Sequence, residues 1–181
     1  TVVEPITRDD ARAIERLSSV ENTAVRNIRA GTIEFNDNVQ FRYVGSMAQN
    51  KEDLDLVYLQ LDQEVLFGRL LKESDFGKVI LGYNFYDKKE DWDGKQITEG
   101  KSISVNDEKF EVIGIMEKKG SLIMDNVVFM LEDDMDGLFG FGGVADLIVV
   151  EPKNKGEIDR TKEDVEKLLR QRRGVKKGEE N

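Results

Sequence analysis

The sequence contains no cysteine and no histidine among its 181 residues, and it has only two prolines and one tryptophan. Without cysteine the chain forms no disulfide and has no thiolate nucleophile, and without either residue it cannot build a Cys/His zinc site. The missing histidine also excludes a Ser-His-Asp triad and a histidine-based pH switch. No G-x-x-x-x-G-K-[ST] motif for nucleotide binding occurs. The side chains left for catalysis are therefore mainly carboxylates.

Long apolar runs and a net positive charge are also missing. No run approaches the roughly 18 to 20 apolar residues that a membrane-spanning helix needs. The net charge of −10 opposes nucleic-acid binding, because that function requires a basic face. Hydrophobic residues make up 39% and charged residues 35%, which is typical of a well-solvated globular protein with a core. Because the chain starts at Thr1 without methionine or a visible signal peptide, we expect an excised or processed segment.

The clearest local pattern is a β-hairpin in the middle of the chain. Residues 101–105 alternate polar and apolar, Asn106-Asp107 supplies a two-residue turn, and residues 109–115 resume the extended pattern. This register predicts that Val105 pairs with Glu108 and that Ile103 lies opposite Phe110.

Six short patterns occur in order along this part of the chain. They are Gly68-Arg69; Asp75; Val79-Ile80-Leu81-Gly82; Gly100-Lys101 with Ile103 and Val105; Phe110 with Val112-Ile113-Gly114-Ile115; and Asp125 with Val127-Val128-Phe129. Together they resemble the extracytoplasmic core domain of MacB-like ABC transporter permeases, a family that includes the lipoprotein-releasing (Lol) and FtsX-type permeases. The resemblance extends more loosely over the whole chain. One departure is Met130, where that family usually has proline.

The start of the chain predicts a strand and then a capped helix. We predict a short strand at residues 2–3, and Thr7 with Asp10 has the spacing of a capping box. Residues 20–35 and 39–44 predict two strands, and the polar residues 46–55 predict a loop. Residues 56–67 mix helix and strand periods, so both assignments stay open.

The end of the chain repeats this order. Residues 146–150 predict a strand, and residues 159–173 predict a long helix with Thr161 and Asp164 at its cap and Gly174 as its stop. No strand follows, so we expect residues from Val175 onward to be loose.

These patterns together predict an α+β fold. We expect a βαβ subdomain formed by both chain ends (1–55 and 144–181) and an inserted β-rich subdomain (56–143). By the resemblance, these would be porter-like and sabre-like subdomains respectively.

An acidic segment imitates half of a calcium loop. Glu132, Asp134 and Asp136 have the spacing of the first EF-hand ligands, but Gly143 stands where the loop needs a bidentate glutamate. Acidic residues that open a helix explain the same pattern, so we predict no metal site and no cofactor.

The candidate interaction site is the apolar, glycine-rich segment around Leu138, Phe139 and Phe141. It either folds inward onto the hairpin or forms an exposed protein contact. Trp92 is interpreted as an apolar anchor, with stacking against carbohydrate as the alternative. Basic residues cluster near the C-terminus: Arg170, Arg172, Arg173, Lys176 and Lys177. We interpret them as cations that interact favourably with the negative end of the helix dipole, with a contact to a partner or to lipid headgroups as the alternative.

The resemblance implies a non-catalytic extracytoplasmic domain of an ABC transporter permease, at the outer face of the cell membrane. Its partners would be the membrane helices of its parent, a separate ATPase subunit or domain, a second permease copy and an extracytoplasmic protein. Its role would be to transmit ATP-driven motion to a substrate or partner outside the membrane. Two alternatives are a carboxylate-based hydrolase and a secreted protein- or glycan-binding module.

Overall fold

The computed structural model describes residues 4–174, which form five α-helices and nine strands. In chain order they are α1 (Arg8–Glu15), β1 (Val20–Arg26), β2 (Ile28–Phe35), β3 (Asn38–Met47), α2 (Lys51–Leu61), β4 (Val65–Gly68), β5 (Lys78–Leu81), α3 (Asn84–Asp87), β6 (Ser102–Val105), β7 (Glu108–Met116), β8 (Val127–Leu131), α4 (Glu132–Phe139), β9 (Leu147–Pro152) and α5 (Ile158–Arg173). Across this described range, none of the helices has both the length and the apolar character that crossing a bilayer requires.

The chain divides into two compact units. The terminal unit contains the described residues of Thr1–Arg26 and Phe141–Asn181, and the central unit contains Asn27–Gly140. The terminal unit is thus built from both ends of the chain, and the predicted α+β class is confirmed.

The terminal unit pairs β1 with β9 in an antiparallel ladder that runs from Val20↔Pro152 to Arg26↔Leu147. Helix α1 begins at the predicted capping box: Thr7 Oγ1 accepts a hydrogen bond from the Asp10 backbone, and the Asp10 carboxylate accepts one from the Thr7 backbone. The two ends of the chain thus each contribute one strand to this two-stranded sheet.

Helix α5 is fixed to the end of α1 and the start of β1 by polar contacts. Thr161 Oγ1 donates to the Ser19 carbonyl at 3.3 Å, and Ser19 Oγ donates to Asp164 at 2.7 Å. The predicted cap at Thr161 is therefore wrong, because the helix already begins at Ile158 and these side chains hold it in place instead. Gly174 ends the helix in a left-handed conformation, as predicted. The predicted strand at residues 2–3 and the loose end from Val175 lie outside the described residues.

The central unit contains a seven-stranded sheet in the order β4-β7-β5-β8-β3-β2-β6. Since β6 also pairs with β7, the strands from β7 to β6 close into a barrel, and β4 lies beside the end of β7. The β6–β7 hairpin has the predicted register, with Val105 opposite Glu108 and Ile103 opposite Phe110. The strands contribute fully buried branched residues to the core: Ile33, Val44, Val105, Val112 and Val128.

Two local predictions in this region are wrong. Residues 20–35 form two strands in different sheets, because Asn27 leaves β1 and bonds to Ser46 through both its backbone N–H (2.8 Å, to Oγ) and its carbonyl (2.9 Å). Residues 46–55 are a loop only in part, because Asn50 caps α2 by accepting a hydrogen bond from the Asp53 backbone at 2.9 Å. Apolar residues with helical spacing then bury one side of α2: Leu54, Val57 and Leu61.

The two units divide the chain at residues 26 and 140, whereas the sequence favours a division at residues 55 and 143. The difference at the first boundary concerns β2 and β3, which pair with β6 and β8 of the central sheet. That the two units are porter-like and sabre-like stays a prediction.

Candidate functional site

The apolar segment around Phe139 is the end of a helix followed by a glycine turn. Helix α4 ends at Phe139, and Gly140 caps it with a positive φ of 66°. Leu138 and Phe139 are half-buried and Phe141 is buried. The ring of Phe139 approaches β2, since its Cζ lies 3.5 Å from where a Cβ on Gly31 would stand. Leu138 and Phe139 keep accessible surface, so the interaction site stays a prediction at these two residues.

Trp92 lies in the core of the central unit. Its side chain is 1% exposed, stacks on Phe85 at a centroid distance of 6.1 Å and meets the edge of Phe35 at 6.2 Å. This burial fits the anchor interpretation and opposes stacking against carbohydrate, because a sugar cannot reach the ring face.

The acidic start of α4 holds a neighbouring loop. The carboxylate of Asp134 accepts a hydrogen bond from the Gly77 backbone at 2.8 Å, and burial raises the pKa of Asp134. Within residues 4–174, no cluster of three or more Asp or Glu side chains is placed to hold a metal ion. Asp134 thus acts as a structural acceptor.

An ion pair on a buried carboxylate joins Arg69, directly after β4, to Asp75 in the loop before β5. Arg69 donates two hydrogen bonds to Asp75, at 2.5 and 2.9 Å, and Lys78 Nζ and the Lys72 backbone N–H donate at 3.1 and 2.8 Å. Hydrogen bonding to Arg69 holds the pKa of Asp75 far below its usual range, against the opposing effect of burial. The sequence could not show that this contact is buried, yet only 5% of the Asp75 side chain is exposed.

Glycines beside this ion pair permit close backbone contacts. A Cβ on Gly68 would stand 2.1 Å from the Ile113 carbonyl oxygen, and one on Gly114 would stand 2.4 Å from the Arg69 carbonyl oxygen. A Cβ on Gly82 would likewise stand only 2.6 Å from the carbonyl carbon of Asp125. These positions are among those that carry the family resemblance, so that part of the pattern has a structural explanation.

A shallow polar cleft of about 450 Å³ opens where β7 passes from β6 to β4. Its charged lining residues are Arg69, Lys78, Glu99 and Glu111. Both cations bind Asp75, so this side of the cleft is part of the ion pair.

In the terminal unit, the C-terminal arginines bind a carboxylate on the first helix. Arg172 Nε lies 2.7 Å from one oxygen of Asp10, and Arg173 Nη2 lies 2.9 Å from the other. Burial raises the pKa of Asp10, but hydrogen bonds from Arg172 and Arg173 outweigh it and leave the pKa below its usual value. We call these three residues the end clamp. Arg170 lies 3.7 Å from Glu166, and the predicted cluster members Lys176 and Lys177 lie outside the described residues.

The sequence interpretation missed a group of exposed apolar residues on the β2–β3 hairpin. Phe41 is 76% exposed and Val39 is 56% exposed, and Tyr43 and Ile28 are also exposed. The signal in the sequence was the alternation of Val39, Phe41 and Tyr43 with polar residues, which places the three on one face of a strand.

Comparison with known proteins gives three concordant similarities. The family model described as MacB-like periplasmic core domain matches residues 2–168. An uncharacterized ABC transporter permease from Methanocaldococcus jannaschii is 26% identical over 168 residues, which are 91% of this chain and 40% of that protein. The chain thus spans less than half the length of this relative.

Two solved structures share the fold. The extracellular domain of the noncanonic ABC-type transporter YknZ from Gram-positive bacteria aligns with a TM-score of 0.71 at 17% identity, over 95% of this chain and 86% of that one. The periplasmic region of MacB from Actinobacillus actinomycetemcomitans also aligns with a TM-score of 0.71, at 15% identity, over 96% of this chain and 77% of that one.

Proposed function

The chain belongs to the family of MacB-like periplasmic core domains and is an extracytoplasmic domain of an ABC transporter permease; from this premise we propose that it transmits ATP-driven motion, without catalysis, to a substrate or partner protein outside the membrane. In this proposal ATP is hydrolysed by a separate ATPase subunit or domain. The motion reaches the chain through the membrane helices of its parent. A second permease copy and an extracytoplasmic protein are the further partners it allows.

The observation that carries the proposal is the end clamp. Asp10 lies on the first helix, and Arg172 and Arg173 lie at the end of the last helix, more than 160 positions along the chain. Charge-assisted hydrogen bonds to a buried carboxylate, as here to Asp10, hold elements in a fixed relation. Displacement of either chain end is therefore carried into one compact unit, as a lever requires.

The state of two buried carboxylates, Asp75 and Asp10, opposes a role for either of them as a general acid or base. A general acid or base needs a pKa near the working pH. Asp75 and Asp10 instead have pKa values below the usual range, because arginine side chains hydrogen-bond to their charged forms. Both therefore stay ionised at neutral pH and are suited to structural ion pairs.

The test uses the full-length parent permease, reconstituted in vesicles with its ATPase. A donor fluorophore is attached at Arg12→Cys, an exposed position on α1 in a chain without native cysteine, after replacement of any cysteines elsewhere in the parent. Acceptor lipids are placed in the outer leaflet. We expect energy transfer to change between the nucleotide-free and ATP-trapped states, and to stay constant with an ATPase variant that cannot bind ATP. Equal transfer in both states of the active complex would overturn the proposal.

A further inference from the structure

We propose that one face of the β2–β3 hairpin docks a partner protein whose contact surface combines apolar side chains with Lys or Arg. This hairpin face consists of Ile28, Ala30, Thr32, Glu34, Val39, Phe41 and Tyr43. The inference rests on the proposed function, because it names the surface through which the domain would contact a protein outside the membrane.

The pairing register places these side chains on one side of the sheet. Thr32 pairs with Phe41, Glu34 pairs with Val39 and Ala30 pairs with Tyr43. Paired residues in an antiparallel ladder point to the same face. The apolar members are therefore contiguous across two strands.

The opposite face of the same hairpin is occupied by the central unit itself. Ile33 and Val44 are fully buried there. Arg42 binds Asp91 at 2.6 Å, and Gln40 reaches the Asp91 carbonyl at 3.5 Å. The hairpin is thus fixed from one side, and it presents Phe41 and Tyr43 on the other. A rigid, contiguous apolar surface of this kind is typical of protein contact sites.

Acidic residues border the turn end of the hairpin face and define the chemistry of the partner. Glu34 is the one charged residue of the face, and Asp37 follows in the turn. Two further turns meet this end, since Asn36 Nδ2 donates to the Trp92 carbonyl at 3.1 Å and the Thr32 N–H donates to Asn106 Oδ1 at 2.9 Å.

These neighbouring turns present the exposed carboxylates of Asp93 and Asp107. Lys109 of β7 lies on the same side of the sheet as Glu34, with Ser104 of β6 between them. A surface with apolar groups and an acidic border is complementary to an apolar surface with basic residues.

The net charge of the chain favours a basic partner protein over a second copy of the chain and over an anionic lipid surface. With a net charge of −10, a second copy of the chain would bring two acidic borders together, and an anionic lipid surface would repel the same border. Like charges placed across an interface oppose binding.

The experiment places the photo-crosslinker p-benzoylphenylalanine at position 39 of the full-length permease in its native cells. A matched probe at position 59 lies on α2 of the same unit, where Leu59 is 67% exposed. Phe41→Thr removes the aromatic side chain and keeps a strand-forming residue, and Glu34→Lys reverses the border charge. Leu59→Gln is the control substitution.

We expect a crosslink from position 39 to one protein other than the permease, in a segment that mass spectrometry shows to contain Lys or Arg beside apolar residues. Phe41→Thr and Glu34→Lys should each lower its yield at least about tenfold, and Leu59→Gln should leave it unchanged. A crosslink to a second permease copy, to lipid, to a segment without basic residues or to nothing would overturn the inference. So would equal yield from position 59, or a yield that either variant leaves intact. The nucleotide-dependent energy transfer described above is measured independently, so its persistence would separate a wrong docking face from a wrong function.

Discussion

Arg69 and Asp75 form a two-point ion pair in which the carboxylate is buried and the guanidinium is not: 5% of the Asp75 side chain is exposed, against 43% of Arg69. Loss of the arginine would leave a buried charge with only Lys78 and a backbone N–H to compensate it. Removing the arginine lowers the free energy of unfolding, because the carboxylate that remains stays desolvated without its main partner.

We therefore expect Arg69→Gln to lower the free energy of unfolding by roughly 2 to 3 kcal/mol. Urea denaturation of the chain, followed by fluorescence of Trp92 in the same unit, measures this. The matched control is Arg12→Gln, which breaks an exposed pair with Asp9 and should cost less than about 0.5 kcal/mol. Equal effects of the two variants would contradict the role assigned to burial.

The same carboxylate makes stability depend on acid pH. Because the folded pKa of Asp75 is held below its usual value, folding favours the ionised form. Its contribution to stability is complete above the unfolded pKa of about 4, and it is lost as the pH falls through the folded pKa. We expect the free energy of unfolding to decrease below about pH 4, and to decrease less steeply in Asp75→Asn. Denaturation curves between pH 6 and pH 2.5 test this, and identical slopes for both proteins would contradict it.

Substitution by alanine should lower the free energy of unfolding by different amounts at Gly114 and Gly100, two glycines that belong to the family resemblance. In Gly114→Ala the new Cβ would meet the Arg69 carbonyl oxygen at 2.4 Å, so the backbone must shift, and we expect a loss above about 3 kcal/mol. Gly100→Ala meets no atom within 4 Å but retains a positive φ of 80°, which costs about 1 to 2 kcal/mol. Thermal unfolding of both variants gives the comparison. A smaller loss in Gly114→Ala would show that the β4–β7 contact can relax.

The tryptophan offers a test of burial in solution. We expect blue-shifted emission from Trp92, weak quenching by iodide and no change on adding oligosaccharides, because the residue is only 1% exposed and packs against Phe85 and Phe35. Unfolding in urea should restore iodide quenching and serves as the control. Sugar-dependent quenching in the folded protein would revive the carbohydrate alternative.

Sequence patterns predicted the β6–β7 hairpin and the cap of α1 correctly, because the residues that form each of them are close in sequence. The β6–β7 register follows from the alternation around Asn106-Asp107, and the cap at Thr7 follows from the spacing to Asp10. The break at Asn27 could not be predicted, because it depends on Ser46 in a strand that is distant in sequence. The mixed periodicity of residues 56–67 reflects the end of α2 followed by β4, so neither single assignment was adequate.

The candidate surfaces were less predictable than the fold. Exposure is a property of the assembled sheet, so the alternation of Val39, Phe41 and Tyr43 predicted a strand but not which face would stay uncovered. The contact of Arg172 and Arg173 with Asp10 could not be predicted either, because Asp10 is at the opposite end of the chain and meets them only in the folded unit. Helix-dipole reasoning was local and could not find that carboxylate.

The chain passes between its two units at two points only, after Arg26 and after Gly140. Each unit has its own sheet, and the terminal unit also has its own clamp of opposite charges. The central unit is therefore an insertion within the chain of the terminal unit. Substitutions on the hairpin face leave the residues of the β1–β9 ladder and of the end clamp unchanged, because all of these belong to the terminal unit.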